Sequence, residues 1–177
     1  MMKTLVIGYG NMLRCDDGAG PQAADRIAAT YPHIDCLSLT ELTPELAETV
    51  SHYDRVLFVD ASVGIPHLRW QKLRMRVEQS PSQSHALMPD TLIELSIQLF
   101  EHCPQLVELV EIPAFDFDYA EELSPLTGVM VEKFVALFGE TLVWMNALEL
   151  ESWTNSESWP GHYVEPIHQF PLTDSSH

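Results

Sequence analysis

The chain reads as an α/β protein: a three-layer sandwich with a mostly parallel five-stranded sheet, one antiparallel strand and helices on both faces. Three observations predict it. Short β-branched and aliphatic runs alternate with stretches whose apolar residues recur at helical spacing. Most connections are long enough to carry the crossover helix that parallel strands need. One connection, Ser62 to His67, is too short for that, so one strand must run the other way.

The first strand covers about residues 4–10, where Thr4-Leu5-Val6-Ile7 runs into Gly8-Tyr9-Gly10. A helix follows from near Gly20: Pro21 suits a first helical position, and Ala23, Ala24, Ile27 and Ala28 share a face. That helix stops before Pro32, and Ile34 to Leu39 is the second strand. Thr43-Pro44-Glu45 starts the next helix, with threonine as cap, proline at N1 and an acid at the positive end of the dipole. Arg55 to Ala61 is the third strand, apolar on both faces through Val56–Val59, as a central parallel strand should be.

Leu68 to Val77 alternates and forms the fourth strand, expected to pair antiparallel with the third. Glu78 to Ser84 is a polar loop ending in His85. Pro89-Asp90 opens a helix carrying Leu92, Leu95 and Leu99, closed by Cys103-Pro104. Gln105 to Ile112 is the fifth strand, and Pro113 to Glu122 is a long acidic-aromatic loop. Ser124-Pro125 supplies the cap and first residue of the last helix, with Val131, Phe134, Val135, Phe138, Leu142 and Met145 on its buried face. Residues 1–150 are expected to form one domain, and residues 151–177 a mobile or surface-wrapped tail. The tail's His162, His168 and His177 lack metal-ligand spacing.

Composition narrows the function. The 177 residues are 46% hydrophobic, enough for one good core. A formal charge of −17, from 26 acidic against 9 basic residues, repels phosphate, so neither nucleic acid nor an anionic membrane surface is an expected partner. No signal-peptide core opens the chain, and no run reaches the roughly 20 apolar residues of a membrane span. Cys15, Cys36 and Cys103 are odd in number and widely spaced, which fits reduced thiols in a cytoplasmic protein.

The glycine turn at Gly8-Tyr9-Gly10 invites a dinucleotide-binding reading, which fails because Leu13 stands where a third glycine is needed. What the turn offers is Asp16 and Asp17 beyond the end of a strand, suited to a cation or to acid–base work. If strands two, one and three lie side by side in that order, the crevice beyond strands one and three is the topological switch point where ligands bind. Asp17 and Asp60 then meet there from distant parts of the chain. Asp16 reads as an acid at the helix entry or one that supports a ligand from behind, and Asn11 as a tie for the loop backbone, with orientation of a substrate carbonyl as its lesser reading. Cys15 beside two acids is a poor nucleophile, and no Gly-x-Ser-x-Gly elbow is present.

Gly8-Tyr9-Gly10-Asn11-Met12-Leu13 with Asp16-Asp17-Gly18-Ala19-Gly20-Pro21 resembles the N-terminal signature of the hydrogenase maturation proteases. Phe58-Val59-Asp60-Ala61, Ser84-His85 and Leu123-Ser124-Pro125 match in order, so the resemblance spans Lys3 to about Leu150. Thr40 to Leu46 resembles the branch that serves bidirectional, NAD(P)-linked hydrogenases. One departure is Thr40-Glu41-Leu42, where many members carry an acid followed by Gly-Gly. The resemblance implies a cytoplasmic, monomeric endopeptidase, aspartic-type by residue usage. It would activate a [NiFe] hydrogenase by removing the C-terminal extension of the large-subunit precursor. It also implies Asp17, Asp60 and His85 as both catalytic residues and metal ligands. The ion would be nickel supplied by the precursor, with zinc or another divalent ion as a substitute and no organic cofactor. The water could be activated by a carboxylate or by the metal. The alternatives are a non-catalytic acidic metal-binding or chaperone module using the same crevice, and, less favoured, a phosphate- or nucleoside-handling enzyme.

Overall fold

The computed structural model describes residues 2–73, 87–100 and 102–152, with 144–152 as helical backbone alone. Its elements are β1 (Thr4–Tyr9), α1 (Ala19–Thr30), β2 (Asp35–Leu39), α2 (Leu46–Ser51), β3 (Arg55–Val63), β4 (Arg69–Lys72), α3 (Pro89–Leu99), β5 (Leu106–Ala114) and α4 (Pro125–Ser152). A short 3-10 turn over Cys15–Gly18 precedes α1. The sheet order is β2-β1-β3-β5-β4, with the first four parallel and β4 antiparallel at the edge.

Two cores form because β1 and β3 are apolar on both faces. Val6, Leu57 and Val59 pack under α1 and α4, against Ala23, Ile27, Phe134 and Phe138. Leu5, Ile7, Val56 and Phe58 face the other way, toward Ala47 and Val50 of α2 and Leu92 and Ile93 of α3. Three layers result, with helices on both sides of one sheet. Among the described residues no helix is long and apolar enough to cross a membrane.

The first crossover is unusually close. A Cβ at Gly8 would land on the Gly20 carbonyl, and one at Gly20 on the Val59 carbonyl. The glycine that lets helix approach strand is therefore Gly20, seven residues past Leu13. Without side chains at these two positions, the start of α1 lies against the ends of β1 and β3.

Several boundaries and one pairing differ from the sequence reading. β4 pairs with β5, not β3: Arg69 lies opposite Glu111 and Lys72 opposite Glu108. The short connection fixed its direction correctly, but β5 inserts between the two strands, a choice that only long-range packing makes. α2 begins at Leu46, because Thr43-Pro44-Glu45 forms the preceding turn, with Leu46 N–H on the Thr43 carbonyl at 3.1 Å. α3 ends at Leu99, whose side chain is exposed and off the buried face. Ser124 does cap α4, its Oγ accepting the Thr127 amide at 3.4 Å. Residues 74–77 of the expected fourth strand, the Glu78–Ser84 loop, His85, the Met145 side chain and residues 153–177 lie outside the described residues.

Candidate active site

β1 and β3 are neighbours, as the 2-1-3 expectation requires, so the switch point falls beyond Tyr9 and Asp60. The register builds a row across the sheet at this edge. Leu39 pairs with Tyr9, Asp60 lies one step beyond the Gly8–Val59 pair, Asp60 pairs with Glu111, and Glu111 pairs with Arg69. Residues in register across a sheet point to the same face. Here it is the face of α2 and α3, since Tyr9 and Leu39 pack on that core.

Asp17 reaches this edge from the 3-10 turn. Its Oδ2 accepts the Asn11 amide at 2.9 Å, which folds the loop back over β1. Asn11 Oδ1 accepts the Leu13 amide at 3.0 Å, so the asparagine does tie down the loop backbone. Gly10 has φ +140, and a side chain there would collide with the Asp17 carbonyl, so only glycine allows this path. The turn that carries Asp17 packs against β3, and the Asp17 charge reaches Asp60, so the two carboxylates lie at the same end of the sheet.

Asp60 is half-buried, and that burial pushes its carboxyl up to about 6. The Tyr9 hydroxyl and the Ala61 amide, 2.8 Å from Oδ1, pull it down; the Asp17 and Glu111 charges add to the rise. Such a carboxylate is a stronger base than an ordinary one and still mostly ionised at neutral pH. Tyr9 stays a phenol: burial and then the Asp60 charge drive its own pKa far upward. Glu111 is held by Ser62 Oγ at 3.1 Å on one oxygen and by Arg69 at 3.0 Å on the other.

Asp16 has a different role from Asp17. Its side chain is wholly buried. It accepts the Phe115 amide at 2.8 Å, the Asp116 amide at 3.0 Å, the Ser124 amide at 2.7 Å, and the Ser124 and Thr127 hydroxyls at 2.8 Å each. Burial alone would raise its pKa, but these donors overturn that and hold it at about 2. It therefore pins the segment from β5 to α4 against the first loop, as a bracing acid should. Cys15 is buried beside it, and burial, then the Asp16 and Asp116 charges, push its thiol up. A thiol so placed is no nucleophile.

The structure thus brings Asp17 and Asp60 together. His85 falls outside the described residues, and among those described no three acid, imidazole or thiol groups form a metal cluster. Two carboxylates are hard oxygen donors that by themselves leave most positions on a divalent ion open. Sequence reasoning missed Tyr9 and Glu111. Tyr9 looked like filler in a glycine turn, and Glu111 joins the row only through the β3–β5 register.

No family model matches the chain, and no curated protein matches it by sequence. Solved structures do match by fold. One is the hydrogenase maturating endopeptidase HybD from E. coli, at a TM-score of 0.62 and 16% identity, covering 81% of this chain and 94% of that one. The fold is that of the hydrogenase maturation proteases. The protease HycI from Thermococcus kodakarensis aligns at 0.61 and 20% identity, over 78% of this chain and 92% of its own. HybD from the same organism aligns at 0.60 and 19% identity, over 79% and 99%. Nearly the whole of each hydrogenase maturation protease is therefore represented in this chain.

Proposed function

We propose that the chain is an endopeptidase that matures a [NiFe] hydrogenase by cutting the C-terminal extension from the nickel-loaded large-subunit precursor. One observation carries the reading: Asp17 and Asp60 converge at the β1/β3 switch point of a fold shared with proteins named as such proteases. The precursor is the partner this reading requires, and its nickel is part of the substrate.

Asp17 and Asp60 would face the precursor's nickel, with His85 as the third ligand that the Ser84-His85 context suggests. Peptide hydrolysis needs a water deprotonated as it attacks the scissile carbonyl, and a proton delivered to the departing amine. Asp60 would serve as the base through an oxygen not bound to the ion, whose charge offsets part of the basicity that burial gives it, and the same carboxyl can return the proton to the amine. Tyr9 supports this by donating toward Asp60 from the neighbouring strand. Asp17 contributes charge and a fixed oxygen, anchored by the Asn11 amide.

A metal-holding module without catalysis would use the same two carboxylates. Mass spectrometry of nickel-loaded precursor incubated with the purified chain separates the two. A mass loss equal to a C-terminal peptide, absent with Asp60→Asn, is expected. A precursor of unchanged mass that still binds the chain would favour the module.

A further inference from the structure

The crevice does not end at the carboxylates. On the β2 side of Asp17 lies a cleft of about 400 Å³, lined by residues such as Asn11, Met12, Leu13, Pro21, Leu39 and Thr40. No charged residue lines it, in a chain of formal charge −17. Its two walls are joined: the Gly10 amide donates to the Leu39 carbonyl at 3.0 Å, linking the first loop to the end of β2. Its loop wall is also one hydrogen bond from the acid, since the Asn11 amide is the group that holds Asp17.

We propose that this cleft is the specificity pocket of the same site, taking one uncharged aliphatic side chain of the polypeptide substrate close to the scissile bond. The inference rests on the peptidase reading and adds the residues that select the sequence to be cut. Four arguments support it. The size suits one large aliphatic side chain plus its flanking backbone, within the range of ligand pockets. Met12 and Leu13 remain 42% and 57% exposed, which leaves apolar area to be covered by an occupant. A carboxylate here would lose its hydration without gaining a cation, so acidic side chains are rejected. The wall is braced by Asn11 Oδ1 on the Leu13 amide, so the shape is in place before substrate arrives.

Charge exchange tests this. The probe is nickel-loaded large-subunit precursor in which each of the three positions on either side of the cut is changed in turn to leucine or to aspartate. Wild type should prefer leucine to aspartate at one position by at least about ten-fold in kcat/KM. Thr40→Lys, at an exposed site, should reverse that preference at that position, and Leu13→Lys should do the same. The leucine-to-aspartate ratios at the other five should stay within about two-fold. An unchanged ratio in both variants would overturn the pocket while leaving the peptidase intact, as would a folded Thr40→Lys protein that cuts no member of the panel. A wild type that cuts no precursor at all would overturn the peptidase reading itself.

Discussion

The Asp16 carboxylate accepts the Ser124 amide at 2.7 Å, although 108 residues separate the two in the chain. Through that bond and four others, one buried charge joins the loop that carries Asp17 to the start of α4. Asp16→Ala would strand these donors in a dry interior. A loss of about 3–5 kcal/mol is expected on urea denaturation. Asp16→Asn, which keeps shape but offers an N–H to an array of donors, should fall between alanine and wild type.

The same residue sets part of the acid stability. Its folded pKa lies below the ordinary 3.8, so its contribution is complete above that value and is lost as pH falls through about 2. The size is about 2 kcal/mol. Urea midpoints of wild type and Asp16→Ala should therefore draw closer at the acid end without meeting.

Asp60 works in the opposite sense. Its folded pKa is raised to about 6, so the fold favours the protonated form, and stability declines as pH rises from about 4 to about 6. The decline from this group is at most about 3 kcal/mol. Asp60→Asn removes that penalty. Its thermal midpoint should exceed wild type at neutral pH and approach it at about pH 4.

Tyr9→Phe removes the hydroxyl that lowers the Asp60 pKa, and leaves the packing of the ring in place. The acid limb of the pH–rate profile for precursor cutting should move to higher pH. A limb that stays put, with a fold indistinguishable from wild type, would show that Tyr9 does not act on Asp60.

A methyl group at the helix–sheet contact should be more damaging than any change at the crevice. Gly20→Ala places a Cβ on the Val59 and Tyr9 backbone, where no side chain can yield. Soluble yield and circular dichroism should show failure to fold, or a loss beyond about 4 kcal/mol.

Much of this was legible in the sequence. Five strands and the reversed one followed from period and connection length, whereas the 2-1-3 order that put Asp17 and Asp60 in one crevice was assumed from the common doubly wound pattern. The partner of β4 was not legible, because a short connection sets direction and says nothing about which edge of the sheet is free. Glu111 stayed hidden for the same reason, since it reaches Asp60 only through the register of β3 with β5. Arg55 was read as a strand start, yet it is 1% exposed and pairs with Glu108 at 2.7 Å beneath α4. Asp16 and Asp17 are adjacent and chemically alike. The sequence already set Asp16 apart as the supporting acid, and the donors around it, from segments about 100 residues away, supply the reason that the sequence could not.

The central claim is that Asp17 and Asp60, with His85, form one site that cuts a nickel-loaded precursor. The most direct measurement offers apo and nickel-loaded precursor in parallel to protease stripped of metal by a chelator and then freed of it. The account predicts cutting of the loaded form alone. It also predicts loss of that cutting in Asp17→Asn, Asp60→Asn and His85→Ala, with double variants costing little beyond the singles. Cutting of apo precursor at a similar rate, a need for zinc added back to the protease, or native activity in any of the three variants would contradict it.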